Sequence, residues 1–118
     1  MTAADAITVV DNETGGQFEL RDGRSIIGRA LYLVHRPGED QPEQVIFFHT
    51  EVDDAYAGQG LASRLAAHAL DATVAAGRRI VPVCPYIAAY VRRHPEYTEQ
   101  VDAPTSAHFD ALRAAQKH

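Results

Sequence analysis

The sequence predicts an α+β domain built on a mixed β-sheet, and three observations support that class. The N-terminal half is rich in β-branched and aromatic residues and contains Asp22-Gly23, a strong hairpin signal. A strand-like segment, 44–52, then leads through closely spaced glycines into an alanine-rich helical pattern. A second apolar strand follows that helix, and this strand–helix–strand succession predicts two parallel strands joined by a right-handed crossover.

The N-terminal half divides into four predicted strands. Glycines, prolines and acidic residues, which favour turns, separate them. Within the third strand, Gly28 is expected to mark a bulge. The four strands are 7–12, 17–20, 25–36 and 44–52.

The segment 44–52 is apolar on both faces, as expected of a central strand that is covered on both sides. Simple alternation places Val45 and Phe47 on one face and Ile46, Phe48 and Val52 on the other. We therefore expect packing on both faces of the sheet.

The C-terminal half is predicted to combine helices with one strand. The helix after the glycines begins at Leu61 and ends near Gly77, which occupies a C-cap position. The segment 78–85 predicts a second central strand, although Pro82 must lie at an edge or where the strand splays from its neighbour. Two further helices are predicted at 86–93, ending before Pro95, and at 105–118, capped by Thr105 or Ser106.

Length and composition indicate one globular domain, 1–118, and argue against nucleic acid and membranes as partners. The formal net charge of −5, without a basic run, argues against binding to nucleic acid. There is neither an apolar run of about twenty residues nor a signal-like N-terminus, so no membrane contact is expected. The single cysteine, Cys84, cannot form an internal disulfide, and a cytoplasmic location is expected.

The six histidines do not predict a metal site. No two of them stand one helical turn apart, and none lies close to the cysteine in sequence. Zinc sites normally use closely spaced ligand pairs, so no metal is expected.

Gly58 and Gly60 precede the long helix and raise two possibilities. The first turn of a helix carries unpaired backbone N–H groups and a partial positive charge. Glycines let an anion approach those groups, and a di- or triphosphate is the expected ligand. Alternatively, the two glycines only make a tight turn from strand to helix.

Two longer segments resemble a known family. They are "HTEVDDAYAGQGLASRLAAHAL" (49–70) and "RRIVPVCPYIAAYVRRHPEY" (78–97). Together they resemble the small GNAT-like N-acetyltransferase domain family, a miniature branch of the acetyl-CoA-dependent GNAT superfamily, and the similarity covers about residues 17–101. The resemblance implies a GNAT-like mixed sheet, acetyl-CoA as cosubstrate, an amine as acceptor and no metal.

The resemblance also implies a set of cofactor-binding residues. The superfamily loop reads Gln/Arg-x-x-Gly-x-Gly/Ala, and its first place is taken here by Ala57, which leaves binding to backbone N–H groups. The pantetheine arm would lie between strands 44–52 and 79–84. The implied cofactor-binding residues are Val52, Gly58, Gln59, Gly60, Leu61, Ala62, Ser63 and Cys84.

Four residues are implied candidates for catalysis. Cys84 is either a nucleophile that takes the acetyl group or a small lining residue. Tyr90 either protonates the departing thiolate or is a core tyrosine. His49 and Glu51 lie two apart on one strand, and they either accept a proton from the amine or only fix local hydrogen bonds.

Three functions therefore remain open from the sequence. The first is an N-acyltransferase that moves acetyl from acetyl-CoA to an amine. The second is a coenzyme A-binding module without efficient catalysis, because Asp22-Gly23 leaves no room for the helices that help larger acetyltransferases choose their acceptor. The third is an interaction domain. An acidic chain suits a cationic amine, but the acceptor's identity is not encoded in any recognisable motif.

Overall fold

The computed structural model describes residues 6–116, which form one mixed five-stranded sheet and three α-helices. The sheet order is β1-β2-β3-β4-β5; the first four strands are antiparallel to their neighbours, and β4 and β5 are parallel. The predicted α+β class is thus confirmed. The strands are β1 (Ile7–Asn12), β2 (Gln17–Asp22), β3 (Ser25–His35), β4 (Gln44–Val52) and β5 (Arg79–Pro82), and the helices are α1 (Leu61–Ala75), α2 (Pro85–Arg93) and α3 (Ser106–Ala115).

The predicted hairpin joins β2 to β3. Asp22 pairs with Ser25, so the loop has two residues, and Gly23 at its first position has a φ of +60°. This is the glycine placement of a type II′ turn, whose twist suits a hairpin. The predicted bulge falls at Ile27, which the pairing skips, beside Gly28. A Cβ on Gly28 would lie 3.0 Å from the Glu51 carbonyl oxygen, so glycine is required there by close approach.

A second bulge changes the faces of β4. The register against β3 shifts at Phe48, because Phe47 and His49 pair with successive β3 residues. Beyond the bulge, each side chain of β4 therefore points to the face opposite to the one that simple alternation predicts. Val52 was expected to share a face with Ile46, and this is wrong: Val52 packs against the core that contains Phe47.

The larger core lies between the sheet and the helices α1 and α2. α1 buries a stripe with helical spacing, and Leu65, Ala66, Ala69 and Leu70 are all fully buried. On the other face of the sheet, a smaller core contains Ile46, Val81 and Leu112 of α3. Burying one such aliphatic side chain contributes about 2 kcal/mol, so both faces stabilise β4 and β5.

Over β1 and β2, that second face carries a polar cluster. Glu19 of β2 is almost fully buried there, because its carboxylate accepts hydrogen bonds from Asn12, Gln17 and Arg21 at 2.5–2.9 Å. Hydrogen bonds from Asn12 and Gln17, together with Arg21, lower the pKa of Glu19 to about 2. A half-solvated face of this kind is typical of antiparallel sheets.

β5 was expected to be a central strand, but it lies at the edge of the sheet. Its pairing with β4 ends at Phe47 and Pro82, and beyond this point the N–H groups of Val83 and Cys84 both donate to the Phe47 carbonyl. The splay expected at Pro82 is therefore present. β5 is buried despite its position, because helices cover it and because a parallel bridge between Ile80 and Val101 closes its outer edge.

α3 begins at the predicted cap Thr105. The Thr105 N–H donates to Nδ1 of His108 at 2.9 Å, which is a reciprocal capping arrangement with histidine in the role usually played by glutamate. The helix ends at Ala115, so the expected continuation to 118 is wrong as far as Gln116, and 117–118 lie outside the described residues.

A chain of hydrogen bonds ties α3 to the sheet. Since Nδ1 of His108 accepts, Nε2 carries the proton and donates to Gln44 Oε1 at 2.8 Å. The Gln44 amide donates in turn to Asp102 at 2.8 Å, and Asp102 also binds Arg79 at 2.9 Å. Burial and the nearby His35 lower the pKa of His108. The imidazole is thus held neutral.

Residues 6–116 contain neither a membrane-spanning helix nor a cluster of metal ligands. None of their helices is both long and apolar enough to cross a membrane. No group of three or more histidine, cysteine or acidic side chains in that range is placed to hold a metal ion.

Candidate functional site

A cavity of about 290 Å³ lies at the head of α1. Its lining includes most of the residues that the resemblance implied for cofactor binding, whereas Gln59 and Cys84 are not part of it. The lining residues are Val52, Tyr56, Ala57, Gly58, Gly60, Leu61, Ala62, Ser63 and Tyr86. A larger hollow of about 540 Å³ lies beside the β3–β4 loop, but its lining of Arg36, Gly38, Glu39, Gln41 and Glu43 contains no helix end.

The two glycines of the cavity are required by the backbone. Gly58 and Gly60 have φ values of +80° and +71°, which residues with a side chain rarely adopt. A Cβ at either position would meet no atom within 4 Å, so the space in front of both is open. The two glycines therefore make the turn and also leave the approach to the helix terminus open, which is compatible with anion binding.

The first turn of α1 presents unpaired donors to the cavity. Gly60 is the N-cap and has no side chain to cap the helix, and the first backbone bond is from the Arg64 N–H to the Gly60 carbonyl at 3.1 Å. In the part of the chain that the structure describes, no backbone carbonyl accepts from the N–H groups of Leu61, Ala62 and Ser63. Together with the helix dipole, these donors favour an anion.

Tyr56 was missed by the sequence analysis. The short 3₁₀-helix Asp54–Tyr56 turns its ring into the cavity wall, and its hydroxyl donates to Asp22 Oδ2 at 2.5 Å. That hydrogen bond, followed by burial, raises the pKa of Tyr56. No periodicity marks this position, because it depends on a contact between the loop and the β2–β3 hairpin.

Cys84 is buried beside the cavity and does not line it. It is the N-cap of α2, and only 4% of it is exposed. Its thiol contacts the hydroxyl of Thr50 on β4, with Sγ and Oγ1 3.4 Å apart. The thiol therefore lies on the α1 side of β4, just past the point where β4 and β5 separate.

Tyr90 is also buried on that side. Its ring stacks on His94 with centroids 3.9 Å apart. Burial raises the pKa of Tyr90, and an interaction with the Ser63 hydroxyl opposes this shift. Ser63 thus stands between the cavity and the Tyr90 phenol, which does not line the cavity itself.

His49 and Glu51 form a pair on the opposite face of β4. Nε2 of His49 lies 2.9 Å from one carboxylate oxygen of Glu51, and Arg29 donates to the other oxygen at 3.2 Å. The hydrogen bond with His49 is the largest cause that lowers the pKa of Glu51, and Arg29 adds to it. Both His49 and Glu51 are about half exposed.

The bulge at Phe48 separates the candidate catalytic residues into two groups. Because the side chains of β4 alternate after the bulge, Thr50 faces Cys84, while His49 and Glu51 face away from it. The structure brings Cys84 and Tyr90 to the cavity side of the sheet. It leaves the other pair on the α3 side, across the gap where β4 and β5 diverge.

Comparison with known proteins identifies the family. A family model described as GCN5-related N-acetyl-transferase matches residues 17–101, which is more than half of the chain. The chain belongs to the GCN5-related N-acetyltransferase family. The resemblance noted in the sequence is thereby confirmed, and the strands β2 to β5, the glycine loop and α2 all lie within the match.

Curated relatives cover only part of this family member. Protein NATD1 of Mus musculus and that of Homo sapiens are each 44% identical over 55 residues, which is 45% of this chain and 50% and 49% of theirs. The Xenopus tropicalis protein of the same name is 40% identical over 75 residues, covering 62% of this chain and 66% of its own. The chain thus spans about half the length of the first of these relatives.

A solved structure has the same fold. The NMR structure of a GCN5-like protein from Staphylococcus aureus superposes with a TM-score of 0.59, covering 87% of this chain and 95% of the other. The sequences are 15% identical, so the likeness concerns the fold alone. It supports the GNAT-like arrangement of a mixed sheet with a parallel β4–β5 pair.

Proposed function

We propose that this chain binds acetyl-CoA at the head of α1 and transfers its acetyl group to an amine. The observation that carries this proposal is the cavity of about 290 Å³, in which the amides of 61–63 have no acceptor on the described backbone. Family membership favours the same cosubstrate. A cytoplasmic location, where acetyl-CoA and reduced thiols coexist, is part of the proposal.

The first turn of α1 would hold the diphosphate of the cosubstrate. Backbone N–H groups aligned along a helix axis bind phosphates without a positive side chain. No lysine or arginine is among the residues that line the cavity, so neutral donors supply the binding. Gly58 and Gly60 keep the approach to these donors open.

The gap between β4 and β5 would take the reactive end. The two strands separate after Phe47 and Pro82, and Thr50 and Cys84 border the opening on the α1 side. A thioester supplies an activated acyl carbon when it is bound there. Acyl donor and acceptor then approach the gap from opposite faces of the sheet.

His49 would take the proton from the acceptor. With Nε2 engaged by Glu51, Nδ1 of His49 remains to accept a proton from an ammonium group, and the free amine then attacks. Glu51 would orient the imidazole, because Arg29 and His49 keep its carboxyl ionised. The carbon–sulfur bond breaks as the carbon–nitrogen bond forms, and the proton that the attacking nitrogen then loses is taken up by the departing thiolate.

Cys84 is better suited to lining the gap between β4 and β5 than to acting as a nucleophile. Its thiol is 96% buried in an apolar cluster with Thr50 as its hydrogen-bond partner, whereas a nucleophile must reach the acyl carbon. We therefore propose direct transfer to the amine. Mass spectrometry after incubation with acetyl-CoA alone tests this, since an acetyl group on Cys84 would establish the two-step route instead.

Binding and turnover are tested in two measurements. Acetyl-CoA at a hundred times its Kd should stabilise the folded chain by about 2.7 kcal/mol, detected as a higher Tm. Release of free thiol is then measured with spermidine and with a lysine peptide as acceptors. No shift in Tm at millimolar acetyl-CoA would leave only an interaction domain.

A second candidate is a coenzyme A-binding module without efficient catalysis. It is favoured by one observation: the groups expected for catalysis lie on opposite faces of β4, and Tyr90 and Cys84 are buried. A raised Tm without thiol release above background would select this module over the enzyme.

A further inference from the structure

One tyrosine that lines the cavity, Tyr86, has a hydroxyl without a hydrogen-bond partner among residues 6–116. Tyr86 is the second residue of α2 and lines the cavity together with the head of α1. It was not singled out by its sequence position, since Tyr90 one turn later matched the family pattern. Its ring lies 6.4 Å from that of Tyr90, but Tyr86 is the one at the cavity wall.

The other phenols have partners. The chain has five tyrosines, and the hydroxyls of three donate to carboxylates: Tyr32 to Asp11 at 2.7 Å, Tyr56 to Asp22 at 2.5 Å and Tyr97 to Asp71 at 2.6 Å. The phenol of Tyr90 interacts with Ser63. Within residues 6–116, the hydroxyl of Tyr86 makes no hydrogen bond to the protein.

The backbone holds Tyr86 in place. The N–H of Cys84, two residues earlier, donates to the Phe47 carbonyl at 2.8 Å, and Pro85 fixes the first position of α2. The first turn of α2 is therefore anchored to β4. A donor on an anchored element loses little conformational entropy when it binds a ligand.

The cavity needs a side-chain donor, and few are available. Ala57 and Ala62 present methyl groups, the hydroxyl of Tyr56 is taken by Asp22, and Ser63 is beside Tyr90. The amides at the head of α1 satisfy only some of the oxygen atoms of a diphosphate, each of which can accept more than one hydrogen bond. Tyr86 is the polar side chain that remains.

We infer that the Tyr86 hydroxyl donates a hydrogen bond to the diphosphate of a coenzyme A ligand held at the head of α1, and so sets the affinity of the cavity for diphosphate-containing thioesters. The inference rests on the proposed function. Tyr86 is thus a binding residue that lines the same cavity as Leu61, Ala62 and Ser63, and it adds no charge to the site.

The test compares Tyr86→Phe with the unaltered chain. Phenylalanine keeps the ring and its packing and removes only the hydroxyl. The Kd values for coenzyme A and for pantetheine, which lacks the diphosphate, are measured by NMR titration, for which a chain of 12.9 kDa is well suited. The variant should bind coenzyme A about tenfold more weakly, because a hydrogen bond to a charged group is lost, and pantetheine equally well.

A matched control and a rescue complete the design. Tyr97→Phe removes a hydroxyl that is outside the cavity and should leave both Kd values unchanged. Ala57→Arg adds a charged donor to the lining of the same cavity and should restore coenzyme A binding in the Tyr86→Phe background. A purely structural role of Tyr86 would instead weaken coenzyme A and pantetheine binding alike.

The remaining outcomes overturn the inference in distinguishable ways. If Tyr86→Phe binds coenzyme A as tightly as the unaltered chain, the inference fails and the proposed function stands. Equal weakening for pantetheine would show that the phenol contacts the thiol arm or acts structurally, and does not contact the diphosphate. If the unaltered chain binds no coenzyme A, the proposed function fails and the inference with it.

Discussion

Ala62 is the residue at which folding and binding make opposite demands. It lies in the first turn of α1, where a negative side chain favours the helix, and it also lines the cavity that we propose binds the diphosphate. The sequence pattern alone places Ala62 in the first turn of a helix, but only the fold shows that this turn borders a cavity.

Ala62→Asp should therefore separate stability from binding. The carboxylate interacts favourably with the helix dipole by up to about 1 kcal/mol, so the free energy of unfolding should stay equal or rise. The same charge should abolish coenzyme A binding by repulsion. Ala62→Asn, similar in size and neutral, is the control and should retain most of the affinity. Calorimetric titration and urea unfolding measure both effects, and tight binding by the Asp variant would show that the diphosphate lies elsewhere.

His49→Ala should impair turnover without affecting cosubstrate binding. Loss of a general base typically lowers the rate about 100-fold or more, whereas His49 lies on the face opposite the cavity. Thiol release gives kcat, and titration gives the Kd of coenzyme A. His68→Ala, an exposed histidine of α1 that does not line the cavity, is the control. An unchanged kcat in His49→Ala would exclude this base.

At the scale of elements, the bulge in β4 has the largest consequence. One extra residue at Phe48 turns the remaining side chains of the strand over. Without it, His49 would lie on the cavity side with Cys84. The bulge is thus the reason that the proposed donor cavity and the proposed acceptor face lie on opposite sides of one sheet.

The docking of α3 should depend on pH. The folded chain keeps His108 neutral, because its Nδ1 accepts the Thr105 N–H while Nε2 donates to Gln44. His35 packs edge-on at 5.2 Å and lowers the pKa of His108 further, whereas Asp102 raises it. A histidine whose pKa is lower in the folded state stabilises the fold above its unfolded pKa of about 6.5, and this stability is lost as the pH falls below that value.

Urea unfolding at pH 7.5 and 5.5 measures this dependence. The unaltered chain should lose stability between the two values, and His108→Gln should be less stable at pH 7.5 but lose less on acidification. Glu19 does not interfere, since its folded pKa of about 2 means that its stabilisation is present above pH 4.5 and is lost only as the pH falls below that value. Equal pH slopes for the two chains would assign the effect to other histidines.

At the scale of the whole molecule, the acidic surface should act oppositely on the two substrates. The formal net charge of −5 attracts a cationic amine and repels an anionic cosubstrate. The backbone donors of the cavity favour an anion only at short range, so the long-range repulsion by the net charge remains. The charge therefore favours polyamine or lysine acceptors.

Salt should consequently weaken one interaction and not the other. Raising the ionic strength from 0.05 to 0.5 M shortens the screening length from about 14 Å to about 4 Å. The kcat/KM for spermidine should fall, and the Kd of coenzyme A should stay constant or decrease. If coenzyme A binding weakened steeply with salt, a basic group and not backbone amides would hold the diphosphate.

The sequence by itself determined the elements and the family. Strand alternation, the Asp22-Gly23 turn, the helical spacing after Gly60 and the Thr105 cap are local signals, and each corresponds to an element within a few residues. Local signals suffice because side-chain periodicity and turn chemistry depend on neighbours in the chain.

Only the tertiary structure decided which residues share a face, a wall or a cavity. The bulge at Phe48 reversed Val52 and separated His49 from Cys84, and the anchored turn of α2 placed Tyr86, not Tyr90, at the cavity. Such relations arise between segments far apart in the chain. Their positions are set by the register of paired strands and the packing of helices on them, to which no single stretch of sequence corresponds.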